Sequence, residues 1–418
     1  MLRPAEEIAP LDTSPSLTSS RNLRLEVFRH LDELSPLRPA WDELLAHYPP
    51  ATTFSSWEWL SCWWQSFGAR RKLLVLALFN GISLVGLAPL SISQERIGWF
   101  TLRVLRLMGD GSADSDNLDF PVRPEFAKVF ADAILRYLAE QRPRWDICLL
   151  NTVPSNSLVA QHLKKTLGSP PWMHFEYLSP ASQISLPESW EQYTETLSSE
   201  DRKNLIRYSR RLEARHSTRI YRCDDACQLR VVLEALFRLH QARWQSASQP
   251  GAFSSPERCA FYERLAHCLL QRKCLELWVL ELGGEIAAVQ FAFRYGDKVF
   301  QLQEGYDHRR SSDRPGFVLR GQVLEQLIAE RIQRYDFLGG EDPYKRRWGA
   351  HDGHYRQLHF ALKFGSGALC LQMVDKAARS KGWLREKLPG SVWNVLHNVN
   401  LAARGRLSAA LENDQVLL

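Results

Sequence analysis

Leu73-Leu74-Val75-Leu76-Ala77-Leu78-Phe79, then Asn80-Gly81, then Ile82-Ser83-Leu84-Val85-Gly86-Leu87-Ala88-Pro89-Leu90-Ser91-Ile92 is the stretch that decides the fold. Both runs are apolar and β-prone, and Asn-Gly between such runs marks a tight hairpin turn. Working outward, a third strand is expected near Leu102–Met108, followed by the loop Gly109–Asp116. Residues 125–140 read as a helix with Phe126, Val129, Phe130, Ala133, Ile134 and Leu138 on one face. Asp146–Leu150 reads as a buried strand, and Asn156–Leu167 as a further helix. Upstream, Leu37–Tyr48 has helical spacing. Thr53 to Trp64 opens with a cap-like Thr/Ser pattern and is dense in tryptophan.

The second half repeats this order. Leu275–Leu282 is a strand, Gly283-Gly284 a turn, Ile286–Tyr295 a strand and Gly296-Asp297 a second turn. Val299–Gly305, the helix Phe317–Gln333 and the short strand Tyr335–Leu338 follow. Trp145-Asp146-Ile147-Cys148 and Tyr335-Asp336-Phe337-Leu338 share an aromatic-Asp-apolar pattern after a long amphipathic helix. The strand–helix–strand connection requires the last two strands of each copy to be parallel, whereas the hairpins are antiparallel. The expected fold class is therefore mixed α/β (α+β), one plan used twice, each copy a mostly antiparallel sheet flanked by helices. The expected boundaries are a disordered lead-in at 1–21, domains at 22–184 and 223–364, a basic helical linker at 185–222 and a basic amphipathic helical tail at 365–418.

Composition agrees with this scale. A chain of 418 residues, 45% hydrophobic and 24% charged, is too long for one core and too apolar for wholesale disorder. No run approaches the ~18 apolar residues of a membrane span, and the first residues lack the apolar core of a signal peptide. The eight cysteines are scattered without paired CxxC spacing, as in reduced core cysteines of a cytosolic protein. His354 and His359 fall five apart in a strand and so on opposite faces, which argues against a metal site. A net charge of +6 suits an anionic ligand without requiring nucleic acid.

Three constellations can carry chemistry. Lys203, Arg207, Arg210, Arg211 and Arg215 recur at helical spacing and make one basic face, which either attracts a polyanion or is simply solvated. Arg314-Pro315-Gly316-Phe317 lies between a strand end and a helix start, where free N–H groups and the helix dipole gather. Asp336-Phe337-Leu338-Gly339-Gly340-Glu341-Asp342-Pro343-Tyr344-Lys345 follows a strand in an α/β sheet, the position where ligands bind. There Tyr344 or a carboxylate can move a proton, and Lys345 can stabilise an oxyanion.

The stretch from about Ser199 to Phe364 resembles the acetyltransferase domain of the GNAT superfamily in its CelD-like branch. The resemblance rests on Arg202-Lys203 with Arg207, Leu239-His240-Gln241-Ala242-Arg243-Trp244, Gly283-Gly284-Glu285-Ile286-Ala287-Ala288, Gly305-Tyr306-Asp307, Pro315-Gly316, and Asp336 to Lys345. Phe54, Trp57, Trp63-Trp64 and Leu107-Met108-Gly109 with Asp114-Ser115-Asp116 are similar to the front half of such proteins. The resemblance implies a tandem GNAT fold related to the Fem-type aminoacyl transferases, and acyl transfer to an amine or hydroxyl.

Donor phosphates are then expected at Arg314, Pro315, Gly316 and Phe317. Acyl transfer is expected around Lys345, Tyr344, Asp336 and Glu341. Substrate is expected at Arg202, Lys203, Arg243, Trp244, Tyr306 and Trp57. The usual glycine-rich donor signature is reduced here to Gly316. No long helical insertion for tRNA is visible, which favours acetyl-CoA or another acyl-CoA as cosubstrate, with no metal. The expected function is an acyl-CoA-dependent N- or O-acyltransferase acting on an amino sugar, polysaccharide precursor or similar envelope metabolite. The alternatives are an aminoacyl-tRNA-dependent peptidyl transferase and a non-catalytic module of an exopolysaccharide or cellulose system. A cytoplasmic protein touching the inner membrane through its basic tail is expected, with a small-molecule or glycan partner and no nucleic acid other than tRNA in the first alternative.

Overall fold

The computed structural model describes residues 6–7, 22–112, 114–141, 144–246, 251–340 and 342–387. The expected lead-in lies outside the described residues except for Glu6–Glu7, and so does the tail beyond Lys387. The strands are β1 (Glu6–Glu7), β2 (Leu23–Phe28), β3 (Arg71–Asn80), β4 (Ser83–Ile97), β5 (Phe100–Leu107), β6 (Ile147–Pro154), β7 (Trp172–Ser185), β8 (Thr218–Arg222), β9 (Leu275–Leu282), β10 (Glu285–Tyr295), β11 (Lys298–Tyr306), β12 (Arg334–Gly339) and β13 (His351–Leu362). The helices are α1 (Leu31–Leu34), α2 (Arg38–Ala46), α3 (Trp57–Phe67), α4 (Ala127–Glu140), α5 (Leu158–Leu167), α6 (Trp190–Thr196), α7 (Ser199–Arg215), α8 (Ala226–Ser246), α9 (Pro256–Gln271), α10 (Pro315–Ala329), α11 (Pro343–Arg346) and α12 (Ser366–Lys387).

The hairpin expected from Asn80-Gly81 forms: Asn80 pairs with Ser83, and Gly81 takes φ 61°, a conformation that favours glycine. β9–β10 and β10–β11 are its second-half counterparts. In each half the last strand of the hairpin series pairs in parallel with the strand after the long helix, β5 with β6 and β11 with β12. The fold is therefore the mixed, duplicated α/β plan that the sequence implies.

All strands join one 13-stranded sheet in the order β1-β2-β3-β4-β5-β6-β13-β7-β12-β11-β10-β9-β8. The middle of that order is an exchange. β7 leaves the first half to pair with β12, and β13 leaves the second half to pair with β6. The two exchanged strands then pair with each other from His351↔Gln183 to Leu362↔Trp172. β7 and β8 are two strands the sequence reading missed. β8 lies inside the stretch read as a helical linker, which otherwise contains α6 and α7.

The aromatic cluster of α3 seals the halves together. Phe54 meets Phe293 and Phe300 edge-on at 5.2 and 5.9 Å, and Trp59 meets Phe261 of α9 at 5.3 Å. One continuous core thus runs from Leu25 on β2 to Phe300 on β11 and Phe360 on β13. A second core lies between α10, α7 and the outer strands of the second half. No helix among the described residues is long and apolar enough to cross a membrane.

Candidate functional site

In the second half, β11 and β12 are parallel partners only from Lys298↔Arg334 to Phe300↔Asp336. Beyond that point each strand continues without pairing to the other, β11 to Tyr306 and β12 to Gly339. Against this end of β11 lies a cavity of ≈ 220 Å³ lined by Arg243, Glu304, Tyr306, Arg314, Phe317 and Tyr344 among others. A second, more open cavity of ≈ 590 Å³ shares Ser311 and Arg314 with it and adds Arg207, Tyr208 and Arg211. Together they form a cleft with a cationic mouth.

The start of α10 shapes that mouth. Arg314 caps the helix at φ 54°, a strained left-handed conformation for an arginine, and Pro315 opens the first turn. The guanidinium of Arg314 stacks 5.9 Å from the Tyr208 ring. Gly316 lets the Tyr306 ring lie close: a Cβ there would sit 3.1 Å from Tyr306 Cδ1. Asp313 is taken up by Arg215 at 3.2 Å and His216 at 3.1 Å, which ties α7 to the loop before α10. Those partners hold the Asp313 carboxylate below its usual range against the opposing effect of burial, the largest single influence.

Inside the cleft Glu304 of β11 is bound by Arg320 Nη2, and Arg243 Nη1 lies 3.8 Å away. Arg320 is 4% exposed and stands among Phe337, Tyr344 and Trp348, each ring centroid within 5.6 Å. Burial pushes the Tyr344 hydroxyl up to about 12, so it keeps its proton at neutral pH, although the residue is 39% exposed overall.

Lys345 is not in this cleft. It is 3% exposed, and its Nζ donates to the carbonyls of Gly339 at 2.6 Å, Gly340 at 3.1 Å and Phe337 at 3.3 Å. Burial lowers its pKa. With its protons given to three carbonyls, Lys345 clamps the turn after β12 and does not line the cleft where the oxyanion role expected from sequence would act. Asp336 is buried beside that turn and accepts from Leu338 N–H at 2.8 Å; burial pushes its carboxyl up to about 6. Asp116 reaches in from the first half and accepts from Gly339 N–H at 2.9 Å. Leu338 takes φ 63° between these two bonds. Glu341 lies outside the described residues.

The cleft therefore gathers Tyr344, Arg314, Gly316, Phe317, Arg243 and Tyr306 from the residues expected by sequence, with Pro315 buried at its rim. It does not gather the others. Arg202 donates to the Thr194 and Glu195 carbonyls at 2.9 and 3.2 Å and so closes the end of α6, while Lys203 is exposed. Trp244 Nε1 binds His240 Nε2 at 3.0 Å. Trp57 belongs to a cavity between α3 and α9. Sequence reading passed over Glu304 and Arg320. An arginine within the apolar run Phe317–Leu324 was the available signal for a buried polar site.

Among the described residues no group of three or more His, Cys, Asp or Glu side chains gathers as a metal site. Comparison with solved structures gives shared folds at low identity. FemX superposes with TM-score 0.55 at 11% identity, covering 77% of this chain and 95% of that one. A conserved protein of unknown function from Bacteroides thetaiotaomicron gives TM-score 0.49 at 14% identity, covering 78% and 97%. A tandem GNAT protein from the clavulanic acid biosynthesis pathway gives TM-score 0.43 at 12% identity, covering 82% and 99%. No curated protein matches the chain. Residues 199–346 match the family model of the acetyltransferase (GNAT) domain. This match covers the segment that builds the cleft, and the FemX likeness extends to the fold alone.

Proposed function

We propose that the protein is an acyl-CoA-dependent N- or O-acyltransferase whose donor binds in the second-half cleft. The observation that carries this reading is that a cationic mouth, formed by Arg207, Arg211 and Arg314, shares Ser311 and Arg314 with the cavity against the end of β11. Guanidinium groups at a helix start suit a diphosphate. Phe317 and Tyr306 offer an apolar wall beyond it, along which a thioester arm fits. Glu304, held in place by Arg320, is set to accept the proton that an attacking amine or hydroxyl gives up. Tyr344 is set to donate to the departing thiolate. The acceptor class we retain is an amino sugar, polysaccharide precursor or similar envelope metabolite, a choice supported by the CelD-like resemblance. Contact with a membrane surface through the C-terminal helix stays part of the proposal; Leu369, Met373 and Val374 are exposed on α12.

The test is calorimetric titration of the full chain with acetyl-CoA. Arg314→Ala combined with Arg207→Ala is expected to weaken binding at least about tenfold, equivalent to about 1.4 kcal/mol, with the fold retained. If wild-type protein binds no acyl-CoA but binds aminoacyl-tRNA, the donor assignment falls to the Fem-type alternative. If it binds neither, the non-catalytic module replaces both.

A further inference from the structure

Cys62 of α3 and Cys268 of α9 place their sulfurs 3.6 Å apart across the seam between the halves. Cys62 is 3% exposed, whereas Cys268 lines a cavity of ≈ 520 Å³ together with Arg38, Asp42, Trp57, Glu58 and Arg272. The two helices are fixed against each other by independent bonds: Arg272, which caps α9, reaches Glu58 of α3 at 2.7 Å, and Arg264 reaches Ser66 of α3 at 2.8 Å; Arg272 also ties in Asp42 of α2 at 2.8 Å. One sulfur is thus open to a reagent and the other waits behind it. Closing to the ~2.05 Å of a disulfide shortens the 3.6 Å separation by about 1.5 Å. The charged groups around the pair are Glu58, Arg38, Arg272 and Arg264. The hydrogen bond between the two thiols, in which either sulfur can donate, lowers the more accessible Cys268 thiol and raises that of Cys62. A nucleophilic thiolate and a protonated neighbour are thereby paired.

We propose that Cys268 is a thiol modification site for low-molecular-weight disulfides, with Cys62 as its resolving thiol. The Cys268 thiolate attacks one sulfur of the reagent and expels the other as a thiolate, leaving a mixed disulfide on Cys268. Cys62 then loses its proton and attacks Cys268 Sγ. The Cys62–Cys268 bond forms, and the second half of the reagent leaves as a thiol. The reagent is reduced by two electrons and the pair is oxidised by two. The product staples α3 to α9 and so joins the two halves covalently.

The experiment treats the full reduced chain with oxidised glutathione, blocks remaining thiols with N-ethylmaleimide, and maps non-reduced peptides by mass spectrometry. A linked Cys62–Cys268 peptide is expected, with a melting temperature above that of the reduced protein. In Cys62→Ser, Cys268 is expected to stop at the mixed disulfide; in Cys268→Ser, Cys62 is expected to stay unmodified. Cys227 is exposed and serves as the internal control for reagent activity. Modified Cys227 with no linked peptide overturns the proposal, as does a Cys62 adduct in Cys268→Ser.

Discussion

The two parallel strand pairs share a topology and differ in what fills the space where they part. In the first half, β5 and β6 pair only at Val104↔Ile147 and Leu105↔Cys148. Beyond these, Arg106 binds Glu95 at 2.9 Å and Asp110 at 2.9 Å, Asn151 donates to the same Asp110 at 2.9 Å, and His359 joins Asn151 at 2.9 Å. The loop Gly109–Asp116 is pinned from beneath: Trp63 Nε1 donates to Ser112 and Trp59 Nε1 to Ser115, each at 2.9 Å, and Arg258 holds Asp114 at 2.9 Å. These side chains of the protein itself bind one another across that opening. In the second half Glu304 and Arg320 stand at an open cavity whose mouth is basic. A duplicated fold thus leaves one opening hollow and fills the other with its own side chains. The closed copy still contributes, since its Asp116 props the turn after β12.

Removing the arginine at each opening is the strongest way to break this comparison. Arg320→Met takes from Glu304 its buried partner and leaves it Arg243, 3.8 Å away, and a loss of about 3–5 kcal/mol is expected. Arg106→Met leaves Glu95 with Ser93 and Asp110 with Asn151, both without their arginine, and should cost a similar amount. Only the first should also weaken acetyl-CoA binding. Urea denaturation with ligand titration of both variants checks this. An equal loss of affinity in Arg106→Met would abolish the functional distinction between the halves.

Lys345→Ala comes next. Sequence reasoning expects this change to stop transfer and spare the fold. The structure predicts instead that three carbonyls lose a charged donor, a cost of about 3 kcal/mol in denaturant unfolding. A variant of wild-type stability would return Lys345 to the list of groups free for chemistry.

That reversal shows what was legible. The hairpins were, because Asn80-Gly81, Gly283-Gly284 and Gly296-Asp297 fix tight turns through local backbone preference. Parallel pairing of the last strands followed from chain connectivity. β7 was not legible: His174, Glu176, Ser179 and Pro180 spoil any strand pattern, and its partner β13 lies far away in sequence. Lys345 was recognisable by residue type, but type does not say whether an ammonium points at a cleft or into a ring of carbonyls. Arg320 sits at the helical spacing of Val323, Leu324 and Leu327 and was absorbed into that apolar pattern.

The buried carboxyls sharpen the comparison through pH. Burial lifts both Asp119 in the first half and Asp336 in the second to about 6. Each folded-state carboxyl keeps its proton until about pH 6, whereas the unfolded one loses it near pH 4. Their stabilising effect is therefore lost as pH rises from 4 to 6, by on the order of 2 kcal/mol per group. His240 and His359, lowered to about 4 by burial, oppose this slope in the same window, so the difference between variant and wild type is the measurement. Asp336→Asn keeps the acceptor for Leu338 N–H and should gain stability at pH 7.5 but not at pH 4. Asp119→Asn should gain less, because both oxygens are used, one by Tyr48 and the other by Ser157 and Phe120 N–H. Equal gains would show that the two carboxyls sit in equivalent surroundings.

The smallest expected effects separate the basic face of α7 into its parts. Arg202 points back to the end of α6, where Thr194 and Glu195 carbonyls take its protons. Arg202→Ala should therefore cost about 1 kcal/mol of stability and leave donor binding unchanged. Lys203 is exposed, so Lys203→Ala should stay within about 0.5 kcal/mol of wild type. Arg207 and Arg211, one turn further along, line the cationic mouth, and their removal should act on binding beyond the ~1 kcal/mol of stability that losing the Arg207–Asn204 bond and the Arg211–Asp313 contact costs. If Lys203→Ala weakens acetyl-CoA binding as much as Arg207→Ala does, the whole helix face attracts the donor through its field, and the mouth is not a defined site.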